Sequence, residues 1–380
     1  MRARLRICGF TVLCTVMTGL VPIMAGGARA STPRRAVPAT SLVRADPIRS
    51  SYETSTRLLS RDIGVSVALP DGHDLWLFGD TSFYTVNAAG AWANTGFVDG
   101  STALEGRYAR GEVPHGAEVP NRSPRRFIPV PKNVYLPDGS RRPCVKSTGN
   151  AAFAARWPTG AAVLASNTSE VLVTYAEVCV TVPSVNVPRA RAEGWGYMLY
   201  NWRVRRIALG PIDVFRPHGI GDAIDPSHVF GWPIYVNGQL TMFSSSCTAQ
   251  YIDCGGGQVW SVTPAKLGDP ASYHPTPMTT DGNTPWTPLS ISVGQYSTGL
   301  RMIETTSIGG DYLLLGASKL GAPWHLLQSG TLPDCAPTKV GYCHGVEGHP
   351  ELSTSTDIFI SYHDPNSGPG GHMVISALPD

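Results

Sequence analysis

The chain has 380 residues, of which 30 are basic and 28 acidic. This near-balance of charge gives no indication of binding to nucleic acid or to an anionic membrane surface. Glycine and proline are frequent, with 41 and 32 copies, and helical periodicity is almost absent. The composition therefore favours many short strands joined by turns.

The first 30 residues predict a secretory signal peptide. Three arginines lead, an apolar run follows, and the stretch closes on Ala-Arg-Ala. The apolar run is too short and too interrupted for a membrane span, and no later run is apolar enough to cross a bilayer. We expect cleavage after Ala30 and a secreted protein, located outside the cell or in the cell wall. Removing the four arginines of the leader from 30 basic residues leaves 26 against 28 acidic ones, a net charge of −2.

Residues 31–54 are rich in proline, serine and arginine and predict an extended lead-in. Beyond them, short apolar or alternating runs recur, each bounded by turn residues such as PDG, PTG, VNG and IGGD. Such punctuation is typical of strands in an all-β domain. We therefore expect one all-β domain over residues 55–380.

The first of these strand pairs, residues 61–84, carries an aspartate at each open end. Its turn is predicted at Asp71-Gly72, a strong hairpin signal. Counting outward from that turn places Asp62 opposite Asp80, or one step from it. Opposed residues lie about 4.5–5.5 Å apart at Cβ and diagonal ones about 7–8 Å apart, so the carboxyl groups should be close.

Two carboxyl groups at such a separation are typical of glycoside hydrolases, which cleave with either retention or inversion at the anomeric carbon. The alternative is structural, because aspartates at strand ends often accept hydrogen bonds from loop amides. The meeting of Asp62 and Asp80 at one end of an apolar hairpin favours the catalytic interpretation.

The strands fall into five clusters, each with a hairpin of similar texture, which predicts a five-bladed β-propeller with a channel lined by the innermost strand of each blade. The clusters lie near residues 62–84, 151–180, 229–263, 295–328 and 349–378.

Four residues are candidates for binding substrate. Trp157 and Trp232 could stack on sugar rings, although large aromatics in propellers more often pack between blades. His349 and Glu351 are expected to begin the inner strand of the fifth blade and to face the channel. For Glu351, a buried acid bonded between blades is an equal alternative.

No cofactor or metal is expected. The segment HGVEGH at 344–349 lacks the H-E-x-x-H spacing of a zinc helix and is interpreted as a loop. No G-x-S-x-G nucleophile elbow occurs, and no G-x-G-x-x-G follows a strand.

Six cysteines remain once Cys8 and Cys14 leave with the leader. An even count in an oxidising compartment favours three disulfides, although six cysteines allow 15 pairings. The short separations suggest two bridges and leave a third, as Cys247–Cys254, Cys335–Cys343 and Cys144–Cys179.

Several of these motifs together resemble the bacterial endo-D-arabinanases, a glycoside hydrolase family formerly known as a domain of unknown function. They are Asp-x-Gly at 62–64, LWLFGDT at 75–81 and HPEL at 349–352 before an ISY strand. The resemblance spans residues 55–378, whereas segment 85–143 has no counterpart in the family. It implies a five-bladed propeller that cuts the D-arabinan of mycobacterial-type arabinogalactan or lipoarabinomannan, with the paired acids at Asp62 and Asp80.

We therefore expect a secreted, monomeric endo-D-arabinanase whose partner is the cell-wall polysaccharide. A non-catalytic propeller lectin for the same polymer and an adhesin or interaction module are the alternatives, since a fold does not settle function. The sequence leaves open D- or L-arabinan and endo or exo cutting.

Overall fold

Short antiparallel strands make up most of the folded chain. The computed structural model describes residues 46–120, 122–130, 133–135, 141–144, 151–165, 168–182, 189–215, 229–247, 254–282, 284, 290–306, 309–335 and 343–380. Within those ranges the only helices are two single 3-10 turns, Pro264–Lys266 and Pro270–Ser272. No helix found there is long and apolar enough to cross a membrane.

The strands follow in chain order. They are β1 (Asp46–Pro47), β2 (Arg49–Ser50), β3 (Arg57–Arg61), β4 (Gly64–Ala68), β5 (His73–Phe78), β6 (Thr81–Val86), β7 (Trp92–Val98), β8 (Thr102–Arg107), β9 (His115–Val119), β10 (Asn133–Tyr135), β11 (Arg141–Pro143), β12 (Ala151–Val163), β13 (Glu170–Val182), β14 (Arg189–Asn201), β15 (Arg206–Phe215), β16 (Val229–Val236), β17 (Gln239–Cys247), β18 (Cys254–Val262), β19 (His274–Pro277), β20 (Ser290–Tyr296), β21 (Gly299–Thr305), β22 (Asp311–Ala317), β23 (His325–Thr331), β24 (His344–Gly348), β25 (Asp357–Asp364) and β26 (His372–Pro379).

Five sheets of four or five strands surround a central axis. Their orders are β2-β9-β8-β5-β4, β12-β13-β14-β15, β16-β17-β18-β19, β20-β21-β22-β23 and β1-β26-β25-β24. The first strands of successive sheets touch, so that β4, β12, β16, β20 and β24 form a closed ring. This arrangement confirms the prediction of an all-β propeller. The number of five blades stays a prediction, because two smaller sheets, β3-β6-β7 and β10-β11, accompany the larger ones.

The ring is closed by a strand from the beginning of the folded chain. In β1, Asp46 lies opposite Ile375 of β26, and β2 adds in parallel to the edge of the first sheet beside β9. Residues 46–50, which the sequence assigns to the lead-in, are therefore part of the propeller's sheets. The predicted signal peptide and residues 31–45 lie outside the described residues.

Apolar side chains fill the space between neighbouring sheets. Between the first two sheets, Leu75 and Leu77 of β5 pack with Val171 and Val173 of β13, and all four are fully buried. Burying a side chain of this size stabilises the folded state by about 1.5–3 kcal/mol. Leu172 packs on the opposite face of β13, towards the third sheet, so the apolar run at 171–173 is buried on both faces, which explains such runs in the sequence.

Two of the predicted disulfides are confirmed. Cys144–Cys179 and Cys335–Cys343 are bonded, with Cα–Cα distances of 5.6 Å and 5.7 Å. Cys247 and Cys254 lie opposite each other in the backbone register of β17 and β18. Their side chains lie outside the described residues, so this third bridge stays a prediction.

The second sheet is taller than its neighbours. Strand β12 has 13 residues, whereas β4 of the first sheet has five and β16 of the third has eight. Only its last part, Gly160–Val163, lines the channel. Residues 151–158 therefore extend past the channel mouth and form a rim, to which the Cys144–Cys179 disulfide ties the end of β11.

Candidate active site

A kinked two-stranded ribbon carries the two predicted aspartates. One half pairs β4 with β5, where Gly64 lies opposite Phe78, and the other pairs β3 with β6, where Arg61 lies opposite Thr81. The two halves keep the same register but belong to different sheets. Extending either ladder by one or two residues places Asp62 opposite Asp80, at the break between them. This is the juxtaposition that the Asp71-Gly72 turn predicts.

The kink depends on a close approach between Asp62 and Gly79. The amide of Gly79 donates to the Asp62 carbonyl at 2.7 Å, and the next residue, Ile63, has a φ of +52°. Such a φ is uncommon for a β-branched residue and often marks a functional site. A Cβ at position 79 would lie 2.2 Å from Oδ1 of Asp62. Glycine at this position therefore leaves the space that the Asp62 carboxyl group occupies.

Asp80 is a largely buried carboxyl group with a raised pKa. Its Oδ1 accepts hydrogen bonds from the amide of Gly100 at 2.6 Å and from Nε1 of Trp157 at 3.1 Å. Burial, and then the negative charge of Asp62, raise the pKa of Asp80 to about 7. These two causes outweigh the two hydrogen bonds, which favour the charged form. Asp80 therefore keeps its proton up to near-neutral pH.

Asp62 faces a histidine from the last sheet. Its Oδ2 lies 3.7 Å from Nε2 of His344, and its Oδ1 is buried without a hydrogen-bond partner among the described residues. The chain at His344 comes this close because Gly345, at a φ of +63°, packs on the backbone of Ile63, where a Cβ would be 2.8 Å from the Ile63 amide nitrogen.

A second histidine supports the first. The rings of His344 and His363 lie 4.7 Å apart between centroids, and Nδ1 of His363 donates to the carbonyl of Arg61 at 2.8 Å. Burial, and then the nearby His344, lower the pKa of His363 to about 4. His363 is therefore neutral at neutral pH and forms a fixed wall behind His344.

The structure separates the two predicted tryptophans. Trp157 lies on the rim and contacts Asp80, as described above. Trp232 is 7% exposed, has a φ of +52° and donates its Nε1 to Oε2 of Glu347 at 2.9 Å inside the channel. It also packs in the core cluster between β16 and β20. Only Trp157 is brought to the aspartate pair.

His349 and Glu351 do not begin the inner strand of the last sheet, so that expectation is wrong. The inner strand is β24, and it ends at Gly348. Pro350 cannot donate a ladder hydrogen bond, which accounts for the strand ending before it. The segment HGVEGH, interpreted as a loop, therefore supplies the strand itself.

Both residues lie towards the far end of the channel. Ser66 contacts Nδ1 of His349 at 2.6 Å and donates a short hydrogen bond to Glu351. Ser66 is four residues beyond Asp62, a distance of about 13 Å along a strand. The His349 ring is fully buried against Trp76, with ring centroids 4.4 Å apart. A sugar in the channel would therefore meet Glu351 and not the His349 ring.

The channel itself holds a cavity of about 290 Å³, lined by all five inner strands. Glu347 lines it, and burial raises the pKa of this carboxyl group to about 7. In the described part of the chain, no group of three or more histidine, cysteine or acidic side chains is placed to hold a metal ion.

Sequence reasoning missed three contributors to this region: His344, Glu347 and the amide of Gly100. His344 and Glu347 belong to the segment HGVEGH, whose glycines led to its interpretation as a loop and not as a strand. The Gly100 amide carries no sequence signal, because it reaches Asp80 through a loop contact 20 residues along the chain.

Comparisons with known proteins show a shared fold. No protein-family model and no curated protein sequence matches the chain. A structure from Bacteroides ovatus, described provisionally as a hydrolase, superposes with a TM-score of 0.50 at 16% identity, covering 84% of this chain and 85% of that one.

Two further structures are more distant. A GH43_1 enzyme from Xanthomonas citri in complex with xylotriose has a TM-score of 0.42 at 10% identity, over 88% of this chain and 89% of that one. An α-L-arabinanase from Penicillium chrysogenum in complex with arabinobiose has a TM-score of 0.38 at 11% identity, over 90% and 99%. At these identities the chain is similar to the Bacteroides structure in fold, and the two weaker matches add nothing further.

Proposed function

We propose that the protein is a glycoside hydrolase in which Asp80 is the general acid and Asp62 the charged partner. One observation carries this proposal: a carboxyl group with its pKa raised to about 7 lies opposite a second carboxyl group at a break in one ribbon. Two nearby carboxyl groups in environments that separate their protonation are the minimum equipment for cleaving a glycosidic bond.

The hydrogen bonds of Asp80 indicate where its proton sits. Because Oδ1 already accepts from the amide of Gly100 and the indole of Trp157, the proton of the neutral carboxyl group belongs on Oδ2. From Oδ2 it passes to the glycosidic oxygen as the bond from that oxygen to the anomeric carbon breaks. The leaving sugar departs as an alcohol, and Asp80 becomes a carboxylate.

Asp62 acts on the anomeric carbon from the other side. It either forms a bond to that carbon, which water later hydrolyses, or removes a proton from an attacking water molecule. Either role requires the carboxylate form. His344 lies 3.7 Å from its Oδ2, and Gly79 leaves the room that its Oδ1 needs.

The substrate that we propose is the D-arabinan of mycobacterial-type cell walls, cut within the chain. Its support is the resemblance of the Asp-x-Gly, LWLFGDT and HPEL motifs to the endo-D-arabinanases, with the paired acids at Asp62 and Asp80. Two disulfides are consistent with action outside the cell. We further propose that the protein is exported by its leader and acts as a monomer.

The proposal is tested by incubating the mature protein with purified mycobacterial arabinogalactan and sizing the products. A ladder of arabino-oligosaccharides supports an endo-acting arabinanase, and a single small sugar indicates exo cutting. Binding without release of sugar would contradict the enzyme and favour a lectin.

A further inference from the structure

A row of aromatic side chains leads away from the proposed acid. Trp157 donates its indole hydrogen bond to Asp80. Phe153 lies four residues earlier on the same strand, and Phe97 of β7 meets Phe153 edge-on, with ring centroids 5.5 Å apart and an interplanar angle of 73°. The row therefore joins the rim of the second sheet to the edge strand of the β3-β6-β7 sheet.

The alternation of β12 places Phe153 and Trp157 on one face of the rim. Both pack beside the small cluster of Ala155, Val178 and Val180. The intervening Arg156 points to the opposite face, where it pairs with Glu177 and Asp213. Four residues of strand span about 13 Å, so the row is longer than one sugar ring.

Packing does not account for the outer member of this row. Phe97 is 49% exposed, and Phe153 and Trp157 are partly exposed. In the register of β6 and β7, Phe97 lies two residues before Asp99, which falls beside Asp80. Exposed aromatic faces continuous with a polar site are suited to the apolar faces of sugar rings.

We propose that Phe97, Phe153 and Trp157 bind consecutive sugar residues of the polymer on the leaving-group side of the bond that is cut. This inference rests on the proposed function, because the side is set by Asp80. Asp80 gives its proton to the oxygen of the leaving sugar. The aromatic row begins at Asp80, so it lies along the sugars of the leaving group. These sugars are on the reducing-end side of the bond that is cut.

The test compares Phe97→Ala with a matched control, Leu320→Ala. Leu320 is 37% exposed in the turn after β22, at the end of the propeller opposite the mouth. Each variant is assayed on arabinogalactan and on the shortest arabino-oligosaccharide that the wild type cleaves. We expect Phe97→Ala to raise KM for the polymer by roughly five- to tenfold, with a smaller rise for the short substrate. Phe97→Tyr should restore most of the affinity, and Leu320→Ala should match the wild type on both substrates.

Product positions provide a second measurement. On an oligosaccharide labelled at its reducing end, loss of Phe97 should shift cleavage towards that end, because binding on the leaving-group side no longer fixes the register. An unchanged KM and cleavage pattern would overturn the proposal while leaving the hydrolase intact. An equal rise in KM for every substrate length would also overturn it, since it would assign Phe97 a structural role.

Failure of the proposed function is recognised separately. If the wild type cleaves no arabinan, gel retardation of the Asp62→Asn protein in arabinogalactan tests sugar binding by the aromatic row without relying on activity. Retardation that the added Phe97→Ala change abolishes supports binding by the row. If the protein is not retarded at all, both the binding by the row and the enzyme activity are excluded.

Discussion

The two ends of the channel contain the same kinds of side chain in different arrangements. At the far end, Ser66 bridges His349 and Glu351, and the histidine ring is packed against Trp76. At the mouth, two carboxyl groups face each other, and Asp80 holds a proton to near pH 7. Each end keeps one buried atom without a partner among the described residues, Nε2 of His349 and Oδ1 of Asp62, so the difference lies in the raised pKa, which is a feature of sites of chemistry. The comparison predicts which changes abolish turnover.

The largest effect is expected when the two carboxyl groups at the mouth are exchanged for amides. Asp62→Asn and Asp80→Asn should each lower kcat on arabinan by at least about 10³-fold, with the double variant little worse, because the two groups act as a unit. Glu351→Gln should retain activity within a few fold. If Glu351→Gln is as damaging as Asp62→Asn in a well-folded protein, the assignment of the two ends is reversed.

The kink offers the next largest effect. Gly79→Ala places a methyl group 2.2 Å from Oδ1 of Asp62, so the carboxyl group must move. We expect kcat to fall on the order of 10²-fold, because a displacement near 1 Å at a reacting group costs about that much. Gly268→Ala is the control, since its nearest neighbour would be 3.5 Å away. Equal activity of the two variants, measured with both folded, would show that the position of Asp62 is unimportant.

A smaller effect is expected at His344. Removing the ring by His344→Ala takes away the side chain that lies 3.7 Å from Oδ2 of Asp62 and should lower kcat on the order of tenfold, because the carboxyl group is then less firmly positioned. His325→Ala, an exposed histidine at the start of β23, serves as the control. A kcat equal to that of the control would exclude His344 from the site.

The smallest effect concerns stability. Because the pKa of Asp80 is raised in the folded state, folding takes up a proton between pH 3.8 and about 7, and stability falls as pH rises through that window. The same deprotonation should lower activity above about pH 7. Asp80→Asn should stabilise the protein at pH 8 by on the order of 1 kcal/mol and leave it nearly unchanged at pH 4. Thermal melts at both pH values check this, and an equal shift at both would contradict the raised pKa.

Local signals predicted the juxtaposition of Asp62 and Asp80 better than they predicted the strands of the ring. The register of Asp62 and Asp80 follows from one turn at Asp71-Gly72, so counting residues was sufficient. The bounds of β24 could not be predicted by counting from a turn. Its pairing, such as Ser361 opposite Glu347, depends on how the sheets pack around the ring. The same limit hid His344, whose approach to Asp62 depends on Gly345 packing against Ile63, far away in sequence.

Burial and tertiary contacts account for the remainder. Apolar and alternating runs identified the strands because their apolar side chains are buried between neighbouring sheets. The raised pKa of Asp80 has no sequence signal, since it results from burial and from a neighbour across the kink. Trp157, predicted to bind sugar, contacts Asp80. Phe97 and Phe153 lie on an edge strand and a rim that no periodicity reveals.

The pairing of Asp46–Pro47 with β26 also governs when the molecule can be completed. Within the described residues, the first strand joins the last, with Asp46 opposite Ile375. Closing a loop of this length carries an entropic cost that must be met before the contact stabilises anything. During synthesis, β1 therefore stays unpaired until β26 emerges, and the ring closes as a late step. A circular permutation that connects β26 to β1 by a short turn and opens the chain at the far-end turn of another sheet would convert this long-range closure into a local hairpin.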